Sequence, residues 1–362
     1  MKRLLSKISV FCIIFLILNM TIFPKECSEH ASNAMNLCFK VIVPSIFPFL
    51  VCSDLFISLG FAKECSRYLS FFMRKIFNLP GSAALAFITG TISGYPVGAK
   101  CIVDLYETGQ CTKTDAERMI AFCNNSGPLF VLGSVGGMLG NANFGILLYA
   151  SHIISSVIVG VLFRFYKKKV ESNLYLTSSN RDSTETINSI VSLISTSVQT
   201  MLNICAIIIL FSIFTKFLPK IPKFDILNSF ITGLFEISNG IFEFSKIANI
   251  TTRAKLSLIS FILSFSGISV LIQVSSLISK VKISIYPYVI GKLMQGIISF
   301  FITYIFYTII NSFFSYFFEM SKQCLILSRP IQIIPKVFQI ESLGLILIIS
   351  LTFFSKNIKF RK

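Results

Sequence analysis

The apolar residues of this chain come in long blocks separated by short polar segments. The blocks fall at 8–23, 37–60, 119–139, 144–163, 191–214, 256–279, 288–311 and 340–355. Each is close to the roughly 20 residues that a helix needs to cross the hydrocarbon layer of a bilayer. The pattern predicts an all-α polytopic membrane protein with about 8 transmembrane helices. Two further apolar segments do not fit a plain crossing. Gly81 to Lys100 is interrupted by Gly90, Gly94, Pro96 and Gly98, and Phe230 to Phe244 carries Glu236, Asn239 and Glu243. Both are read as re-entrant hairpins. Non-helical backbone at membrane depth persists only where it is buried in protein or lines a wet cavity, so the hairpins predict a cavity.

Charge decides how the segments thread. Lys2, Arg3 and Lys7 place the N-terminus in the cytoplasm, and Lys63, Arg67, Arg74 and Lys75 return to that side two spans later. Lys167, Lys168 and Lys169 join them only if Gly81 to Gly98 dips in and comes back. The polar stretch Ser172 to Asn188 links two halves, and Arg361 and Lys362 end the chain on the cytoplasmic side. Lys216, Lys220, Lys223, Arg253 and Lys255 fall on the opposite side and fit the rule badly. Pro24, Lys25 and Glu26 follow the first block where a cleavable leader would have small residues, so the first span is expected to be retained. The organisation read from these features is an N-terminal anchor (1–36), a first repeat (37–167), a cytoplasmic linker (168–190), a second repeat (191–311) and a C-terminal span with a basic tail (312–362).

Composition narrows the function. Of 362 residues, 54% are hydrophobic and 14% charged, against roughly 25% charged in soluble domains. The net charge of +17 sits largely at the ends of apolar blocks. That placement fits topology signals and contact with anionic lipid, and not nucleic-acid binding. Ten scattered cysteines without a Cys-x-x-Cys pair, and two histidines, argue against a disulfide framework, a zinc site or His-based catalysis. No cofactor, no metal and no enzymatic activity are expected. A homo-oligomer is compatible with the sequence.

The chemistry gathers at the interruptions. Met119 to Leu139 has Asn124, Asn125, Ser126, Gly127 and Pro128 at its middle. Gly-Pro frees backbone groups, and the N-terminus of the resuming helix offers N–H donors suited to a carboxylate. Laid over the second half, Phe122–Leu132 aligns with Ile262–Ile272, matching Ser126-Gly127 to Ser266-Gly267. Without a gap, His152 and Lys292 then each follow their glycine by 25 residues (152 − 127 and 292 − 267). The first hairpin, with Ser93, Gly94, Tyr95 and Lys100, corresponds to the second, with Glu236, Ser238 and Asn239. The first repeat starts outside and the second inside. Inverted repeats with interrupted helices are a transporter signature. The expected substrate-binding set is Ser93, Gly94, Tyr95, Lys100, Asn124, Asn125, Ser126, Gly127, His152, Glu236, Ser238, Asn239, Ser266, Gly267 and Lys292. His152 has a plainer reading as a helix–helix hydrogen bond, and Lys292 one as a lysine snorkelling to the interface. Asp54, near the end of its span, is expected to face the headgroups.

At "PSIFPFLVCSDLF" (Pro44 to Phe56), "GTISGYPVGAK" (Gly90 to Lys100) and "CNNSGPLFVLGSVG" (Cys123 to Gly136) the chain resembles the sporulation integral membrane protein YlbJ family, which carries a nucleoside-recognition Gate domain. The resemblance runs from about 40 to 350, in the second half mainly by pattern. It implies an endospore-forming bacterium and a place in the outer forespore membrane. It also implies a role in moving dipicolinate, a small planar dianion at neutral pH, from mother cell to spore. The expected function is a carrier for that anion by alternating access. The alternatives are a nucleoside or nucleobase carrier and a non-transporting scaffold for spore cortex assembly.

Overall fold

The computed structural model describes residues 13–58, 61–167 and 186–327. The expected crossing at 340–355, most of the 168–190 linker and the N-terminal basic residues lie outside them. The chain divides into two compact units, Met1–Ile309 and Ile310–Lys362. The described part of the second is helical backbone to Leu327.

Every regular element among the described residues is a helix. A short apolar helix α1 (Ile13–Ile22) is followed at Pro24 by α2 (Pro24–Leu37). A wider turn at Cys38–Ile42 joins α2 to α3 (Val43–Ser58). Pro44 explains that turn: proline has no N–H to donate, and its ring clashes with the carbonyl four residues back, so the chain opens to an i→i−5 bond from Val43 N–H to Cys38 O. After α4 (Phe61–Phe72) comes a helical hairpin, α5 (Ala83–Ile92) and α6 (Val97–Glu107). Then α7 (Lys113–Ile120) begins with a capping box between Thr112 and Asp115. It stops, and α8 (Leu129–Met138) resumes past Pro128. The first half closes with α9 (Ala142–Phe163).

The second half also contains a helical hairpin followed by an interrupted pair of helices. Helix α10 (Thr186–Lys216) precedes a second hairpin, α11 (Asp225–Phe235) and α12 (Ile237–Lys246). Next come an interrupted pair, α13 (Thr252–Phe265) and α14 (Gly267–Ser279), and then α15 (Tyr286–Leu327). Among the described residues, four stretches are long and apolar enough to cross a membrane: Ala142–Phe163, Val191–Lys216, Thr252–Ser279 and Tyr286–Ile309. That is fewer than the blocks predict. The break at Ala121–Gly127 splits the 119–139 block, and in the 37–60 block the wider turn at Cys38–Ile42 leaves α3 only 16 residues long.

Helix α15 shows how such a helix is sided. Leu293, Ile297, Phe301 and Ile305 recur every four residues and are exposed, as expected of a lipid-facing stripe. Tyr288, Lys292, Gln295, Ser299 and Thr303 share another face and are buried. Polar groups within a span face the bundle interior, where the Thr303 hydroxyl donates to Ser260 Oγ at 2.7 Å and the Ser260 and Ser299 hydroxyls meet at 2.6 Å. Four of the five basic residues that fitted the charge rule badly have local partners. Lys216 pairs with Glu26 and Lys220 with Glu243. Arg253 and Lys255 donate to the carbonyls of Tyr304 and Ile247.

Candidate functional site

The first interruption is held open by close backbone packing. Gly90 on α5 and Gly98 on α6 lie against the carbonyl of Cys123: a Cβ on either would fall 1.8 or 2.4 Å from that oxygen. Such contacts leave room for no side chain, which is why the hairpin is glycine-rich. At its tip Gly94 takes a φ of +91°, a conformation L-residues rarely adopt. Its backbone meets that of Gly127 in the interruption.

The freed polar groups at this break are bonded by side chains of other helices. Asn125 Nδ2 donates to Phe122 O (2.9 Å) and Ser156 Oγ (3.1 Å). Its Oδ1 accepts from Gln295 Nε2 (3.0 Å) and Lys292 Nζ (3.5 Å). Asn124 Oδ1 accepts from Ala99 N–H, and its amide donates to the Tyr288 hydroxyl at 3.4 Å. The Ser126 N–H donates to His152 Nε2 at 2.9 Å, so that nitrogen carries no proton; His152 Nδ1 carries it and donates to Ser264 Oγ at 2.8 Å. His152 is a neutral imidazole joining the two interrupted helices. Lys292, 1% exposed, also donates to Gln295 Oε1 at 2.7 Å and has no carboxylate partner among the described residues.

The second interruption is compact. Ser266 and Gly267 make the turn, at φ +69° and +67°, and the Ser266 hydroxyl meets the Tyr288 hydroxyl at 3.1 Å. Tyr288 therefore touches both breaks. In the second hairpin, Glu236 takes an extended conformation and caps α12, accepting the Asn239 N–H at 2.7 Å.

Both hairpin tips and both interrupted helices meet around one cavity of about 260 Å³. Its polar lining comes from Ser93 and Tyr95 at the first tip, Ser126 at the first break, Glu236 and Ser238 at the second tip, and Ser269 and Gln273 on α14. Much of the rest is isoleucine and phenylalanine from α3, α8 and α10. The hydroxyls of Ser93 and Ser126 are buried without a hydrogen-bond partner. A buried polar group left unpaired costs about 1–3 kcal/mol, so two at one cavity wall mark a place for a solute or water to bond.

Of the predicted set, Ser93, Gly94, Tyr95, Ser126, Gly127, Glu236 and Ser238 line the cavity. Asn124, Asn125, His152, Ser266, Gly267 and Lys292 stand outside the lining and, apart from Gly267, bond the breaks together. Asn239 lines a second, polar cavity of about 490 Å³ on the α10 side of its hairpin. Lys100 lies elsewhere. It pairs with Asp54, and with Asp104 at 3.1 Å, while Ser197 donates to Asp54 at 2.9 Å. Asp54 is thus buried in the bundle and does not face headgroups. Lys292 does not snorkel. Sequence reasoning misses Tyr288, Gln295, Ser156 and Ser264. The signal is present as polar residues at helical spacing in apolar helices, most plainly Tyr288, Lys292 and Gln295.

Residues 39–206 match the family model described as Gate: nucleoside recognition. The chain is also similar to the sporulation integral membrane protein YlbJ of Bacillus subtilis (strain 168), with 32% identity over 332 residues, covering 81% of each chain. No solved structure matches.

Proposed function

The chain belongs to the sporulation integral membrane protein YlbJ family, and on that premise we propose that it is a multi-pass transporter acting in sporulation. In this reading the two halves are inverted repeats that rock around the cavity, and the solute is a small planar organic acid, dipicolinate. The membrane is the outer forespore membrane, with both termini in the cytoplasm of the mother cell and anionic lipid at the basic ends. The observation that carries the reading is the meeting of two hairpin tips and two helix breaks at one cavity with unpaired hydroxyls. A scaffold has no use for that arrangement, which leaves backbone polar groups at membrane depth to be bonded one by one. Size favours a small acid: the cavity is at the low end of the roughly 300–1,000 Å³ that houses drug-sized ligands.

One observation favours a nucleoside instead. Glu236 is the one charged side chain among the described lining residues, and a carboxylate is a good acceptor for ribose hydroxyls. Counterflow in proteoliposomes separates the two. Protein preloaded with dipicolinate is expected to take up labelled dipicolinate saturably, and excess uridine is expected not to compete. Uridine counterflow without dipicolinate counterflow would move the protein to the nucleoside reading. Neither solute moving, in folded protein, would leave the scaffold.

A further inference from the structure

The cavity contains a charge problem that the transport reading does not solve. Neither Lys100 nor Lys292 reaches it. Lys100 is consumed by two aspartates, and Lys292 sits behind Asn125. The described lining has no lysine or arginine, and its charged group is an acid, Glu236, 5% exposed. An anion entering this apolar chamber meets a like charge with little water to screen it, and like charges at a shared site do not both stay ionised.

Glu236 is placed to accept a proton without losing its structural role. Its carboxylate accepts from Asn239 N–H, at Oε2, and from Ser238; a proton on the oxygen that does not hold Asn239 keeps that cap, with the Ser238 hydroxyl turning from donor to acceptor. It also stands at a partition. Its own side chain lines the first cavity, while Asn239 lines the polar second cavity and donates to Thr215 Oγ1 at 2.8 Å. One hairpin tip thus presents Glu236 to the first cavity and Asn239 to the second. The titratable groups around it are Tyr95 from the first tip, Cys38 from the α2–α3 bend and Cys205 from α10. His30, Lys216, Lys220, Asp225, Glu243 and Lys246 surround the second cavity. Helix α14 contributes only the neutral Ser269 and Gln273.

We infer that Glu236 is the coupling site of the transporter: an anionic solute loads only with a proton on this carboxyl, so anion and proton cross together. The inference rests on the transport reading and adds the co-transported ion. Loading adds one hydronium proton to the carboxylate and leaves one water. Release on the other side returns the proton to water. Protonated Glu236 becomes a hydrogen-bond donor to the solute.

The test uses the full chain with labelled dipicolinate, over the neutral range where the free solute stays a dianion. Wild-type binding is expected to tighten about tenfold for each pH unit lowered, as one linked proton requires. Proteoliposomes are expected to accumulate the anion against its gradient when a proton gradient is imposed. Glu236→Gln, which keeps an oxygen for the Asn239 cap, is expected to bind independently of pH and to lose accumulation driven by the proton gradient. Glu236→Asp, keeping an acid, is expected to restore part of that accumulation. Binding by wild type that ignores pH, or full gradient-driven accumulation by Glu236→Gln, overturns the inference while leaving the transport reading standing. Absence of any dipicolinate binding or counterflow in folded wild-type protein overturns both.

Discussion

Between α7 and α8 the backbone leaves regular helix from Ala121 to Gly127, whereas between α13 and α14 only Ser266 leaves it, turning together with Gly267 at positive φ. The long break needs many partners and recruits them from α9 and α15: Ser156, His152, Lys292, Gln295 and Tyr288. The short break needs few, because Ser266 N–H still reaches Ile262 O and only its hydroxyl looks outward. The hairpins differ in the same sense. The first is packed backbone to backbone through Gly90 and Gly98, and the second presents an acid, Glu236, at its tip. The two halves thus differ in what they contribute. One half supplies an opened backbone held by a polar network, the other a compact turn and the charged group.

The largest effect expected from breaking this contrast is at the glycines. Gly90→Leu or Gly98→Leu drives a side chain into the Cys123 carbonyl and is expected to abolish folded, monodisperse protein in detergent. Gly137→Ala, with nothing within 4 Å of the added Cβ, should melt within about 0.5 kcal/mol of wild type. Equal behaviour of these variants in a thermal-shift assay would remove the packing account. Next comes Asn125→Ala. It strips partners from Lys292, Gln295 and Ser156 together and is expected to destabilise by about 2–4 kcal/mol, with dipicolinate content falling in spores that depend on it. Ser266→Ala removes one hydroxyl contact and should cost about 1 kcal/mol. If the two melted alike, the long break would hold no special network. The smallest stability effect is expected from Ser93→Ala with Ser126→Ala. These hydroxyls bond nothing in the protein, so stability should change by less than about 1 kcal/mol while solute affinity falls at least about tenfold. Unchanged affinity would take these hydroxyls out of the solute site.

Much of this was legible from residue order. Gly-Pro after two amides announced the first break, and the gapless register carried it to Ser266-Gly267. The glycine run around Tyr95 announced a hairpin whose neighbour is backbone. What sequence could not assign was direction. A lysine in an apolar segment reads the same whether it meets a solute or an aspartate, and Lys100 and Lys292 were placed together for that reason. The structure separates them because Asp54, 46 residues away, lies on a helix whose packing no local pattern specifies. Asn124 and Asn125 illustrate the same limit. An exposed amide at membrane depth requires bonding, and neighbouring helices supply it before any solute does.

The ion-paired cluster of Asp54, Lys100 and Asp104, with Ser197, ties α6 of the first hairpin to α3 and α10. Pulling one member of such a buried set away from the others strands a charge, at about 3–5 kcal/mol. Motions that keep the set whole carry these three helices as a single raft. The tip of the second hairpin is tied to α10 by the neutral bonds of Asn239 to Thr215 and Ser212, which strand no charge when parted, so this margin is the one expected to yield first.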